Sequence, residues 1–418
     1  MTEGRGGFEG LDTCVHCGFC LQACPTFLAT GDEADSPRGR IELMRGLERG
    51  DIAATDPALF YHLDRCLGCR ACEPVCPSGV QYGRGLEAAR ARITAARGVS
   101  RLARLALWTL TTPGVSGAVY WFARVLRSVL PRSFAGWGRI RFAMGMLGAT
   151  KPGGRRRDEA VGGGKRRTNP TASYRPLPPL TAQIFRGCVM QGLFSHVHAA
   201  TVRTLAVNGH AAQEVSGQVC CGALHAHAGL HEDALNLARV NVAAFGDGTE
   251  PIVVNSAGCG AVMKDYGRLL GDERSQRFAA RVKDVTELFA PAPAPGAPLD
   301  LHVAYDPPCH LLHAQGIAAA PLKLFAAIPL LELVPVPGAA ECCGSAGLFT
   351  LLEPEMSRAV LATKIERLRE AAPQVVATGN PGCLMQLGAG LAAAGIRAQV
   401  RHPVELLDDA YRAAGRYE

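Results

Sequence analysis

A cysteine spacing that occurs twice near the start of this chain limits its fold more than any other feature. Residues 14–25 read C-V-H-C-G-F-C-L-Q-A-C-P and residues 66–77 read C-L-G-C-R-A-C-E-P-V-C-P. Cys14, Cys17, Cys20, Cys24 and Cys66, Cys69, Cys72, Cys76 therefore both follow C-x2-C-x2-C-x3-C-P. Three thiols at this interval fit a tight loop around three iron corners of a cubane, while the fourth turns away to the other cluster. The rule assigns Cys14, Cys17, Cys20 and Cys76 to one [4Fe-4S] cluster, and Cys66, Cys69, Cys72 and Cys24 to a second. Pro25 and Pro77 lack an N–H, end the local turn and direct the chain away. Zinc bound by four cysteines also uses C-x2-C pairs, but it does not need a third and fourth cysteine at this spacing, followed by proline, twice.

Between the motifs, DSPRGRIELMRGLERG predicts a helix with Ser36 as N-cap, Pro37 in the first turn and Ile41, Met44 and Leu47 as its buried stripe. Arg38 and Arg40 read as a solvated basic face; offsetting the charge of an anionic cluster is the sharper alternative.

All sixteen cysteines lie between residues 14 and 76 or between 188 and 383. The opening MTEGRGGFEG has no apolar stretch of the kind a secretory signal needs, so a cytoplasmic location is expected, and a disulfide framework is not. At 418 residues, several domains are expected. Gly/Pro-rich and basic residues 151–180 read as a linker, and APAPAPGAPL at 290–299 reads as another. The resulting division is a ferredoxin-type domain over 1–95, a basic amphipathic connector and linker over 96–180, and two cysteine-rich units over 181–289 and 300–418.

The last two units repeat each other. Cys188, Cys220-Cys221-Gly222 and Cys259 in the first correspond to Cys309, Cys342-Cys343-Gly344 and Cys383 in the second, with matching separations. PIVVNSAGCG and PQVVATGNPGCL each read as a short strand, a turn and a helix opening at the cysteine, which predicts an α/β fold in both repeats. A helix start also favours a thiolate. Adjacent cysteines point apart in extended chain, so joint ligation needs a bend that Gly222 or Gly344 can supply. Metal ligation by all eight is the expectation. His225, His227 and His310 lie near these sites and read as surface or hydrogen-bonded histidines.

From Ala88 to Arg157 there are fourteen Arg or Lys and no Asp or Glu, although the whole chain carries only +7. Over 101–147 arginines alternate with Leu, Trp, Tyr and Phe. Such a segment can lie among lipid headgroups or pack as helices against a partner subunit. The uncharged run Leu105–Ala123 is interrupted by TTPGVSG, which is turn chemistry rather than a membrane span. Nucleic-acid binding, the other use of basic residues among aromatics, is not expected beside two ferredoxin motifs.

Together the paired motifs, the segment SPRGRI, AGCGAVMKDYG and ECCGSAG resemble the iron-sulfur subunit of bacterial glycolate oxidase over essentially the whole chain. The resemblance implies a multidomain α+β and α/β protein: a helical 2[4Fe-4S] domain followed by a duplicated CCG domain that holds further clusters. It also implies FAD-binding partner subunits that oxidise glycolate to glyoxylate, a quinone acceptor, and peripheral contact with the inner face of the cytoplasmic membrane. Related subunits serve lactate and glycerol-3-phosphate. In the wider family, heterodisulfide reductase ends the repeat in C-x-x-C and binds non-cubane clusters. Here those last positions are Val262 and Gln386, which puts a five-thiolate cluster and thiol/disulfide chemistry in doubt. No GxGxxG motif opens a helix after a strand, so no flavin or nicotinamide site and no catalytic residue is expected on this chain.

Overall fold

The computed structural model describes residues 7–112, 114–129, 135–152, 180–289 and 293–417. Most of the 151–180 linker, the first six residues and the start of the 290–299 linker lie outside the described residues.

The N-terminal region is helical: α1 (Pro25–Thr30), α2 (Pro37–Arg49), α3 (Pro57–Asp64) and α4 (Tyr82–Arg97). In α2 the Ser36 hydroxyl accepts the Gly39 N–H at 2.9 Å, Pro37 occupies the first turn, and Gly50 ends the helix in the left-handed region. Its Ile41, Met44 and Leu47 are buried against Leu11, Leu63 and Ile93, as the pattern predicts. Arg40 departs from the expectation. It falls on the same buried face as Met44 and Leu47 and is fully enclosed.

The basic segment forms α5 (Arg101–Thr111), α6 (Val115–Val129) and α7 (Arg139–Gly148). Among the described residues no helix is long and apolar enough to cross a membrane. The break between α5 and α6 falls at TTPGVSG, where Gly114 has a positive φ.

The first repeat contains α8 (Val189–Leu193), α9 (Ser195–Val207), α10 (Ala223–His227), α11 (His231–Phe245), α12 (Ala257–Lys264), α13 (Tyr266–Leu270) and α14 (Glu273–Arg281). They surround a parallel sheet of β1 (Leu180–Phe185), β2 (His210–Glu214), β3 (Ile252–Val254) and β4 (Val282–Asp284), in the order β2-β1-β3-β4. The second contains α15 (Ala319–Ala326), α16 (Phe349–Leu352), α17 (Pro354–Ala371), α18 (Pro381–Ala393) and α19 (Pro403–Ala413). Its sheet of β5 (Leu301–Tyr305), β6 (Leu331–Leu333), β7 (Val375–Ala377) and β8 (Gln399–Arg401) has the order β6-β5-β7-β8. The same strand order in both repeats matches the duplication read from the cysteines. The apolar runs in β3 and β7 follow from burial on both faces of a parallel strand.

One apolar core runs through both repeats, joining Ala182 and Ile184 to Val303, Leu324 and Tyr411. Across it Arg203 of α9 grips Asp408 of α19 through two hydrogen bonds of 2.8 and 2.7 Å. The basic helices fold back onto this body. Gly145 of α7 meets Ala389 of α18, Ala149 beyond α7 meets Gly388, and these small residues let the two helices approach closely. In α6 the Tyr120 ring lies over Gly192, where any Cβ would collide with it.

Candidate iron-sulfur sites

Cys14, Cys17, Cys20 and Cys76 surround one small cavity, together with Cys72, Arg38 and Ile41. Cys24, Cys66, Cys69 and Cys72 surround a second, with Thr26 and Arg40 in its wall. The fourth cysteine of each motif, Cys24 or Cys76, thus lines a cavity with the first three of the other motif, and Cys72 lines both. The two loops share a backbone device. His16 (φ 57°) and Gly18 (φ 84°) in the first, and Gly68 (φ 62°) and Arg70 (φ 60°) in the second, occupy equivalent positions in the left-handed region. Such alternation turns successive N–H groups inward and forms a concavity for an anion. Holding a bulky arginine and a histidine there costs strain that a bound group must offset.

The electrostatics of the two sites differ. Cys17 is exposed and Val15 and Phe19 beside it are about two-thirds exposed, so the first site opens to solvent. The second is sealed. Beneath it Arg40 donates to the His62 carbonyl (2.7 Å), to Thr26 Oγ1 (2.9 Å) and to the Asp35 carboxylate (3.1 Å), with Nη1 4.0 Å from Cys24 Sγ. Burial pushes the Cys66 thiol up, but Arg40, Arg90, the Tyr82 hydroxyl at 3.5 Å and the Gly68 N–H at 3.4 Å together bring it below its ordinary value. Burial and neighbouring thiolates drive Cys69 and Cys72 the other way, and push Cys20 to about 11. Four crowded thiols over buried guanidinium groups and inward N–H groups are a donor set that fits iron held by thiolate. The expectation of a solvated face therefore fails for Arg40. Its i, i+4, i+7 spacing with Met44 and Leu47 was the available signal.

In the repeats, every cysteine loop leaves the C-terminal end of a strand. Cys188 follows β1 and Cys259 follows β3, so they flank the point where the strand order reverses, the usual site of an α/β sheet. Cys309 and Cys383 do the same after β5 and β7. Cys188 and Cys220 approach to 3.7 Å and Cys343 and Cys383 to 3.3 Å, while Cys221 lies against Cys259 and Cys309 against Cys342. Gly222 and Gly344 both have φ 82°, the bend that adjacent cysteines require. Asn241 secures the first CCG loop by accepting the Val219 N–H (2.9 Å) and donating to the Cys220 carbonyl (3.0 Å). Lys364 secures the second through the Ala339 and Glu341 carbonyls and an ion pair with Asp306. Sequence reasoning missed both, because each acts on a loop some twenty residues away. Gln386 is no ligand: its amide donates to Ser357 Oγ (2.9 Å) and accepts from Thr350 (3.2 Å). Val262 packs with apolar neighbours.

Of the two readings of the histidines, surface exposure fails and hydrogen bonding holds for His310. His225 is buried with Nδ1 unpartnered, and His310 has Nδ1 3.4 Å from Cys309 Sγ and a buried, unpartnered Nε2. The rings of His227 and His310 meet edge to face at 5.4 Å. None of the three is an ordinary surface residue. They lie where the N-terminal region joins the repeats: Leu67, Cys69, Cys309, Cys342 and Phe349 form one apolar cluster, so Cys69 of the second ferredoxin motif abuts cysteines of the second repeat.

Sites of this composition on this fold define an iron-sulfur protein with a 4Fe-4S dicluster domain and a duplicated cysteine-rich domain. Family models agree: a 4Fe-4S dicluster domain matches residues 10–80, and a cysteine-rich CCG domain matches 182–264 and 303–388. The chain is 34% identical to the probable glycolate oxidase iron-sulfur subunit of Bacillus subtilis (strain 168), covering 99% of this chain and 95% of that one. It is 32% identical to the glycolate oxidase iron-sulfur subunit of Escherichia coli (strain K12), over 96% and 94%. A lactate utilization protein A of Geobacillus thermodenitrificans matches 55% of this chain at 29% identity. The chain belongs to the family of glycolate oxidase iron-sulfur subunits.

Proposed function

We propose that this chain is the electron-transfer subunit of a complex whose FAD-containing subunits oxidise glycolate to glyoxylate, and that it delivers the electrons to a quinone-type acceptor. One observation carries this reading: thiol sites follow one another from the exposed Cys17 loop, through the buried Cys69, to Cys309 and Cys342. Full-length similarity to glycolate oxidase subunits supports the choice of substrate.

In this reading Cys14, Cys17, Cys20 and Cys76 hold one [4Fe-4S] cluster, and Cys66, Cys69, Cys72 and Cys24 hold the other. Cys188, Cys220, Cys221 and Cys259 hold a further cluster, and Cys309, Cys342, Cys343 and Cys383 one more. Bound clusters supply one-electron transfer, which a two-electron flavin donor needs on its exit path. The chain's own groups set the rest: Arg40 and Arg90 place positive charge at the second site, and burial excludes water. On the outer faces of α5 and α6, Leu105, Trp108, Trp121, Phe122 and Val129 are exposed among arginines, a composition suited to anionic headgroups on the inner face of the cytoplasmic membrane.

Cys69→Ser in the assembled complex is the test. Glycolate should still reduce the flavin, while acceptor reduction and the reduced-cluster EPR signal are lost. A flavin that no longer accepts electrons from glycolate would sink the assignment. The same electron-transfer role toward lactate is the second reading, supported by the 55% match to a lactate utilization protein, and a substrate screen of the purified complex separates the two.

A further inference from the structure

All eight cysteines of the two repeats line a single cavity of about 280 Å³, part of which the two clusters of the reading above would fill. The repeats face one another there, α12 with Cys259 packing against the turn that follows Cys309. Two further properties of the wall identify what it can accept. Among the described residues it contains no Asp, Glu, Lys or Arg, so a nucleotide, a flavin phosphate or a peptide disulfide with carboxylates would find no countercharge. It also carries buried polar groups with nothing to bond. The Tyr120 hydroxyl, on a residue 8% exposed and close to Cys188 and Cys220, has no hydrogen-bond partner, and neither has His310 Nε2 beside Cys309. One lies toward each repeat's thiols.

Access follows from the helices that complete the wall. Leu110 of α5, Tyr120 of α6 and Met146 of α7 face the cavity. The opposite faces of α5 and α6 expose Trp108, Trp121 and Phe122. The same two helices thus join the cavity to the surface suited to a membrane, which is the route an apolar ligand would take from lipid.

We propose that this cavity is the acceptor site, and that its ligand is a membrane quinone whose carbonyls accept hydrogen bonds from Tyr120 and His310. This rests on the electron-transfer reading above and adds the place and the recognition. The quinone takes up two electrons, derived from substrate oxidation on the partner subunits, and two protons from water, and leaves as the quinol. An apolar slot with two hydrogen-bond donors suits a ring with two carbonyls.

The whole complex, reconstituted with partner subunits, is the material for the test. A photoreactive azido-quinone, competed by excess decyl-benzoquinone and read by peptide mapping without turnover, should label α5, α6 or α8. Label confined to the partner subunits would overturn the proposal. Tyr120→Phe should raise KM for decyl-benzoquinone by about tenfold, the loss of one hydrogen bond. Leu110→Trp, which narrows the cavity, should lower both labelling and the ratio of quinone to ferricyanide turnover. If Tyr120→Phe leaves that KM unaltered and shifts only a cluster EPR signal, Tyr120 serves a sulfur site and the proposal fails. Failure of the parent reading has a different signature: glycolate would reduce the flavin with no cluster signal in the wild-type complex, whatever the label shows.

Discussion

Arg40→Gln removes a positive charge enclosed in the wall of one cluster site and absent from the wall of the other. In the native chain Asp35, itself fully buried, is shared among Arg40 (3.1 Å), Arg65 (2.8 Å) and His62 (3.0 Å). Losing Arg40 therefore does not orphan the carboxylate, because Arg65 and His62 keep it partnered. The stability loss should fall at or below the ~3–5 kcal/mol of breaking a buried pair outright. The electrostatic effect is larger in relation to function. Unit charges about 4 Å apart interact by roughly 4 kcal/mol at an effective dielectric of 20. Arg40 lies 4.0 Å from Cys24 Sγ, but an added electron is spread over a whole cluster, so about half of that applies. Roughly 2 kcal/mol corresponds to about 90 mV for one electron. Removing positive charge disfavours the reduced state, so the shift is toward lower potential. An EPR-monitored redox titration of the complex should show one of the two ferredoxin-type signals displaced by on the order of 100 mV and the other nearly fixed. Equal displacement of both, or of neither, would refute the placement of Arg40 under the Cys24/Cys66/Cys69/Cys72 site alone.

Two other outcomes can be checked on the same protein. A Cβ on Gly344 would lie 2.5 Å from the Ser357 carbonyl, whereas one on Gly222 would stay 3.2 Å from that of Ala234. Gly222→Ala should cost about 1–2 kcal/mol for its left-handed backbone and Gly344→Ala clearly more, with a matching loss of bound iron; equal melting temperatures for the two variants would contradict this. Burial holds His198 and His196 down to about 4 and His402 to about 3, the charges around them adding to the effect. Their stabilisation is present above the unfolded value near 6.5 and is lost as pH falls toward the folded values, at up to about 1.4 kcal/mol per histidine per pH unit. His402→Asn, which keeps a side chain able to cap α19 but cannot titrate, should flatten the pH dependence of unfolding between 6.5 and 4 by about one proton; an unchanged slope would refute it.

What could be read from the sequence was local or repeated. Ser36, Pro37 and the Ile41–Met44–Leu47 stripe specify α2 within fifteen residues, and the structure has that helix with that cap. The cysteine ladders repeat with separations within two residues of each other, so the duplication was legible from them, and the shared sheet order agrees with it. The break at TTPGVSG was legible for the same reason: turn chemistry acts on its own neighbours.

The rest depends on contacts between segments far apart in the chain. Cys69 meets Cys309 and Cys342 across more than two hundred residues, and the basic helices press Tyr120 against Gly192 rather than leaving a free connector. Composition could suggest that α5 and α6 have an outer face for lipid; only packing reveals that their inner face closes a cavity between two sets of thiols. The burial of the histidines was not legible for a related reason. Next to a cysteine loop, a histidine's surroundings are set by the facing repeat: His227 comes from one repeat and His310 from the other. A duplicated domain can carry such a site only where its two copies meet, so one repeat read alone, with four cysteines and no terminal ligand, resembles a simple cluster carrier. The uncharged wall and the His310 donor belong to the pair, and α6 adds Tyr120 where it packs on them.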